Sequence, residues 1–261
     1  MNRLAVNLST VFTEVPFMER FKKARDCSFS YVECQFPYPY SVEEIQKRLE
    51  EYQLKMVLHN MPPGDWEQGD RGLAVNPDRE DEFRHSVETT IRYATVLKTS
   101  KIHCMAGITL GIDHKQAYET FLERVHFAAT QFAHHGLTLL IEPINKFDMP
   151  NYFLNDLNLA LRILDTINLP NVKLQYDFYH IEKIHGNSLS LFKENVDVIE
   201  HVQIADAPGR HEPGTGKIHF PSIFKELRDS YKSDIGLEYT PLTTSEKSFE
   251  WLKYMKVGDR Q

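Results

Sequence analysis

Short apolar runs alternate with amphipathic stretches along almost the whole chain, and this alternation constrains the fold more than any other feature. Strand-like runs fall at 4–9, 31–36, 55–60, 101–107, 138–143, 172–177, 199–206 and 234–239. Between them the hydrophobic period lengthens to that of a helix. In 42–53, Val42, Ile45, Leu49 and Tyr52 fall on one helical face, with Ser41 placed to cap the N-terminus. In 81–98, Phe83, Val87, Ile91 and Ala94 recur in the same way. Repeated strand–helix units predict an α/β fold with a parallel sheet, and eight of them close most economically as a (β/α)8 TIM barrel, an open doubly wound sheet being the alternative. A chain of 261 residues with 41% hydrophobic content suits one domain spanning 1–261, and no repeat, low-complexity tract or linker divides it.

A formal charge of -7 argues against a surface built for phosphate backbones, so nucleic acid is not an expected partner. Cys27, Cys34 and Cys104 are odd in number and lack metal-type spacing, and the first ten residues carry neither the cationic nor the long apolar region of a signal peptide. The expected compartment is the cytoplasm. No run approaches the roughly 20 apolar residues of a membrane span. A homo-oligomer is compatible with the sequence, which holds no feature that decides it.

Within four of these runs the apolar segments TLLIE, VKLQYD, IEHVQ and DIGLE end on metal-capable side chains: Glu142, Asp177, Gln203 and Glu238. A parallel barrel brings the C-terminal ends of its strands to one face, so these residues converge whatever their separation in sequence. Any one carboxylate could instead be capped by a helix N-terminus or paired with arginine. Several acids together require a cation or shared protons, and hard oxygen donors suit Mg²⁺ or Mn²⁺; no organic cofactor is indicated. The long segment 61–78, rich in Gly and Pro and carrying Trp66, follows the third strand and is expected to act as a lid or as an ordinary surface loop. A second polar loop, 205–216, follows the seventh strand. His103, His134, His135 and His185 belong to no constellation, and Cys104 reads as a small buried hydrophobe. Phe36, Tyr38 and Tyr40 either wall a pocket or pack beneath a loop.

The segments IEPIN (141–145), QYDFYH (175–180), HVQIADAPGRHEPGTG (201–216) and LEY (237–239) resemble the signatures of the hydroxypyruvate isomerase family, within the xylose-isomerase-like barrels. The likeness extends to NLS (7–9), FPYPY (36–40) and HNMPPGDWEQGDRG (59–72), nearly the full length. It implies a divalent metal held by Glu142, Asp177, Gln203 and Glu238, with Glu142 and Glu238 also the proton-moving pair. It further implies substrate binding by His180 and Arg210, with His59 and Trp66 lining the pocket; His180 could instead be a structural histidine. Lys217 departs from the family pattern, which commonly has Glu after GTG.

The activity so implied is isomerisation of a small hydroxy-oxo acid, hydroxypyruvate to 2-hydroxy-3-oxopropanoate, through an enediolate. Related alternatives are a 2-oxo-tetronate isomerase and a ketose 3-epimerase; epimerases usually carry His where this chain has Gln203. A DNA-repair endonuclease of similar fold would need several His ligands and a basic groove. A sugar-acid-binding protein is the non-enzymatic alternative.

Overall fold

The computed structural model describes residues 2–253, and over them the chain forms a closed ring of eight parallel strands, each hydrogen-bonded to the next in sequence and the last to the first. The strands are β1 (Arg3–Asn7), β2 (Tyr31–Cys34), β3 (Lys55–Asn60), β4 (Lys101–His103), β5 (Thr138–Ile141), β6 (Val172–Asp177), β7 (Ile199–Ile204) and β8 (Asp234–Leu237). Around them run α1 (Phe17–Asp26), α2 (Val42–Glu51), α3 (Glu80–Leu97), α4 (His114–Ala133), α5 (Leu157–Ile167), α6 (Phe178–His185), α7 (Ser188–Asn195) and α8 (Phe220–Ser230). The barrel is the expected topology, and the open sheet is excluded by the pairing of β1 with β8. Several strands are shorter than their apolar runs. β4 stops at His103, so Cys104 to Gly107 begin the following loop, and β5 stops one residue before Glu142.

Local chemistry sets the helix ends. Ser41 accepts from the Glu44 amide while the Glu44 carboxylate accepts from the Ser41 amide, a reciprocal cap worth roughly 1 kcal/mol. Val42, Ile45 and Leu49 then face inward. In α3 the buried stripe is Phe83, Ser86, Val87, Thr90, Tyr93, Ala94 and Leu97. Ile91, expected on that face, is partly buried and packs against the core, and Thr90 beside it is fully buried with its hydroxyl donated to the Ser86 carbonyl.

Two irregularities decide which side chains enter the barrel. Between β2 and β3 the register shifts, so that Val32 pairs with Met56 but Glu33 pairs with Leu58, leaving Val57 as the extra residue. Between β6 and β7 a similar shift follows Leu174. Because strand side chains alternate with period two, one extra residue exchanges the inward and outward sets beyond it. At the N-terminal end of the barrel, buried Asp234 accepts from Lys101 Nζ at 2.7 Å and Arg3 Nε at 2.5 Å.

The 61–78 segment is anchored rather than free-standing. Leu73, Ala74 and Val75 are buried, the Gly72 amide bonds the Pro63 carbonyl, and the Val75 amide bonds the Ala106 carbonyl. Gly72, at φ +113°, lies so close to the Met105 carbonyl that a Cβ there would fall 2.3 Å from its oxygen. Only the first half of the segment, with half-exposed Trp66, overhangs the barrel mouth. No described helix is long and apolar enough to cross a membrane.

Candidate active site

The C-terminal mouth of the barrel holds a narrow cavity of about 100 Å³, room for only several waters or a small ligand. Its walls include Glu142 just beyond β5, Glu238 just beyond β8, Gln175 on β6, His180 on α6, Arg210 in the 205–218 loop, and Trp66. Glu33, Glu142, Asp177 and Glu238 are 0%, 4%, 1% and 5% exposed, and among the described residues Arg210 is the guanidinium that pairs with Asp177 and Glu238. Its Nη2 lies 3.0 Å from Glu238 Oε1 and 3.5 Å from Asp177 Oδ2.

This crowding shifts the acids. Burial holds the Glu142 carboxyl well above the usual carboxylate range, and the nearby Glu238 and Asp177 charges add to it. Burial likewise raises Asp177 to about 6 and Glu238 to about 7, with Arg210 opposing in both. Carboxyls poised near neutrality are suited to moving protons.

Asp177 caps α6: its Oδ1 accepts from the Tyr179 amide at 2.8 Å, whereas its buried Oδ2 accepts no hydrogen bond. Ligand atoms of Glu142, Asp177 and His180 lie within 4.8 Å of one another. Two buried carboxylates so placed, one carboxylate oxygen unsatisfied, fit a hard divalent cation, with the His180 ring beside them.

A relay of directed hydrogen bonds orients the amides beside this cluster. Gln175 Nε2 donates to Glu142 Oε2 at 2.9 Å and to Gln203 Oε1 at 2.8 Å. Gln203 Nε2 donates to Glu33 Oε1 at 2.8 Å and to Glu238 Oε2. Glu238 also accepts from Gln35 and Asn7. His180 is oriented just as firmly. Asn145 Oδ1 accepts from the Phe147 and Asp148 amides, so its Nδ2 must face His180 Nδ1, 2.7 Å away, and donate to it. Burial keeps His180 neutral. Its proton therefore resides on Nε2, 3.7 Å from Asp177 Oδ2, making His180 a donor into the pocket.

The sequence agrees with a model of one family, described as xylose isomerase-like TIM barrel, over residues 21–255. The chain belongs to that family. Among its relatives, the hydroxypyruvate isomerase of Escherichia coli is 42% identical over 97% of this chain and 98% of its own. A 2-oxo-tetronate isomerase of Cupriavidus necator is 40% identical over the same shares. A Brucella melitensis crystal structure described as AP endonuclease, family 2, superposes with a TM-score of 0.95 at 41% identity, covering 97% of this chain and 99% of that one. The resemblance seen in the signature segments is thus a family membership, and the chain is an isomerase of the xylose isomerase-like barrels.

Within this xylose isomerase-like site, most of the residues expected from sequence come together, with one exception. Glu142, Glu238, His180 and Arg210 line the cavity, Asp177 lies against Glu142 and His180 and Gln203 against Glu238, and Trp66 rims the cavity, 5.2 Å from the Phe36 ring and beneath the Arg71 guanidinium at 3.8 Å. His59 does not line it. The Val57 bulge turns His59 outward, where Nδ1 meets the Tyr38 hydroxyl at 3.3 Å, and sends Asn60 inward in its place. His180 joins Glu142 and Asp177 in a tight group, and Gln203 is tied to Glu142 through Gln175 and to Glu238 directly. Lys217 is exposed and outside the cavity lining.

The sequence-based expectations missed His103, a buried wall residue whose Nδ1 is 3.5 Å from Glu142 Oε2. They also missed Gln175, Asn145 and Glu33. Strand parity would have found Gln175, two residues before Asp177 on β6. Phe36 does wall the pocket, Tyr38 packs on His59 and Tyr93, and Tyr40 stacks on Phe17. Cys104 is buried, as expected, and its thiol is pushed up to about 12.

Proposed function

We propose that the chain interconverts hydroxypyruvate and 2-hydroxy-3-oxopropanoate, by moving a proton between adjacent carbons through an enediolate. The observation that carries this is the pair of buried glutamates with raised pKa, Glu142 after β5 and Glu238 after β8, three strands apart around the ring and so approaching a small ligand from different sides. One carboxylate removes the proton from the hydroxyl-bearing carbon, and the electron pair moves into a carbon–carbon double bond as the carbonyl oxygen gains charge. The hydroxyl proton then passes to that oxygen as the aldehyde carbonyl forms, and the other carboxyl returns a proton at the neighbouring carbon. Each transfer typically contributes 10² to 10⁴ in rate.

Arg210 Nη2 offers a charged donor for the substrate carboxylate, exchanging its bond to Glu238 for it. His180 Nε2–H donates to a substrate oxygen, and Trp66 with Phe36 covers the mouth against water. A divalent ion, Mg²⁺ or Mn²⁺, held by Glu142, Asp177, Gln203 and Glu238 with His180 adjacent, would supply Lewis-acid stabilisation of the enediolate charge. The names of the relatives support this assignment, since those over 35% identical include both a hydroxypyruvate isomerase and a 2-oxo-tetronate isomerase. The single histidine in the cluster and the -7 charge weigh against an endonuclease.

The test is turnover by metal-stripped protein on hydroxypyruvate and on 2-oxo-tetronate, with Mg²⁺ or Mn²⁺ restored and product followed by proton NMR in D₂O. Metal-dependent conversion with deuterium in the product supports the proposal and names the preferred chain length. No conversion and no exchange with either acid overturns it.

A further inference from the structure

Glu33 is the most deeply buried acid near the site, and the proton transfers above do not use it. It sits on β2 below the cavity at 0% exposure, and its carboxylate accepts from three side chains. Asn7 Nδ2 donates to Oε1 at 3.0 Å, Gln203 Nε2 to Oε1 at 2.8 Å, and His201 Nε2 to Oε2 at 2.8 Å. The space it fills is kept open by Gly236 on β8, where a Cβ would fall 2.4 Å from Glu33 Oε1. The barrel thus devotes a glycine, an asparagine and a histidine to holding one carboxylate that is not part of the cavity lining.

What that carboxylate does follows from hydrogen-bond polarity. An ionised carboxylate only accepts, and an amide has one accepting and one donating end. Gln203 must therefore turn its Nε2 to Glu33, and with it to Glu238 beside it, which directs Oε1 to the opposite side, where Gln175 links it to Glu142. Oε1 is the only atom of Gln203 able to bind a cation. Were the amide reversed, Gln203 would aim two N–H groups at the metal position and meet the Gln175 donor with another donor. We infer that Glu33, the one of the two carboxylates on Gln203 Nε2 that the metal assignment leaves free, is a positioning residue that locks the Gln203 amide with its oxygen toward Gln175 and Glu142, so that a neutral amide serves there as a ligand. This rests on the metal assignment of the proposed function. Groups that orient metal ligands typically matter by 10- to 100-fold in metal affinity.

The test measures Mn²⁺ affinity by calorimetry in the full-length protein carrying Glu33→Gln, Glu33→Asp or Gln203→Ala, with thermal midpoints recorded alongside. Glu33→Gln keeps the shape but can itself donate, which permits amide reversal. Glu33→Asp keeps the charge but withdraws it by one methylene. The expected result is a loss of about tenfold or more in Mn²⁺ affinity for both Glu33 variants, with turnover partly restored at high Mn²⁺. A folding defect would not be relieved by metal in that way. Undiminished affinity in Glu33→Asp, with loss only in Glu33→Gln, means that charge alone matters and overturns the orienting role. Undiminished affinity in both Glu33 variants, with loss in Gln203→Ala, overturns it while leaving the metal assignment standing. Undiminished affinity in Gln203→Ala as well removes Gln203 from the metal site and overturns both.

Discussion

At the scale of single residues, the site works by directing hydrogen bonds rather than by placing charge alone. Glu142→Gln and Glu238→Gln keep volume but remove the group that moves a proton, so each is expected to lower kcat by 10² to 10⁴ with the circular dichroism spectrum unchanged. A variant that retains near-normal turnover removes that residue from the proton-moving pair. Asn145 tests the polarity of His180. As Asn, it donates to Nδ1 and leaves the proton on Nε2. In Asn145→Asp the carboxylate can only accept, so the proton should move to Nδ1 and Nε2 should become an acceptor facing Asp177. Nitrogen-15 spectra of the His180 ring report this directly, the expected outcome being exchanged Nδ1 and Nε2 signatures together with a kcat reduced by roughly tenfold or more, as for other groups that orient a site residue. An unchanged tautomer would show that Asp177, not Asn145, sets the ring.

At the scale of elements, strand register decides what a sequence motif can reach. Gly236→Ala on β8 is expected to destabilise the protein by about 1–3 kcal/mol in urea unfolding, because its new Cβ would press on the Glu33 carboxylate, itself fixed by three donors inside a closed ring. A neutral Gly236→Ala would mean that β2 and β8 can separate without cost. The same register explains which parts of the molecule were legible in the sequence. The barrel and the meeting of four strand-end oxygen-bearing side chains follow from hydrophobic period and strand-end position alone, since Glu142 lies close to Asp177 and Gln203 bonds Glu238. His59 did not follow, because nothing in KMVLHN announces that Val57 is an extra residue; the bulge exists only in the pairing with β2. Ile91 does pack against the core, at the edge of a stripe that also takes in Thr90, whose hydroxyl bonds its own helix. Glu33 and His103 are two further residues whose importance lies in partners from distant strands, at separations no local pattern encodes.

At the scale of the whole molecule, the barrel holds two clusters of buried charge with opposite responses to pH. At the N-terminal end, Asp234 is resisted by its burial but held below its usual range by Lys101 and Arg3, so its contribution is present above about pH 4 and fades only as acid protonates it. At the C-terminal mouth the shifts run the other way. Asp177 and Glu238 are raised to about 6 and about 7, so folding favours their protonated forms. Their stabilising contribution is complete below their unfolded values, near 4, and is lost as pH rises through 6 to 7, where both must ionise beside Glu142. The loss is on the order of a few kcal/mol, at about 1.4 kcal/mol for each pKa unit. Metal-stripped protein is therefore expected to show a thermal midpoint that falls between pH 5 and pH 8. A bound divalent cation requires those same carboxylates ionised, so Mn²⁺ at many times its Kd should raise the midpoint most at pH 8 and least at pH 5, crossing the two curves toward acid. Scanning calorimetry at four pH values, with and without Mn²⁺, reads both slopes. A metal-free midpoint that stays flat from pH 5 to pH 8 would mean that the acids at the mouth are not held in their protonated forms by the fold, and a Mn²⁺ effect equal at all pH values would mean that the ion binds somewhere other than among them.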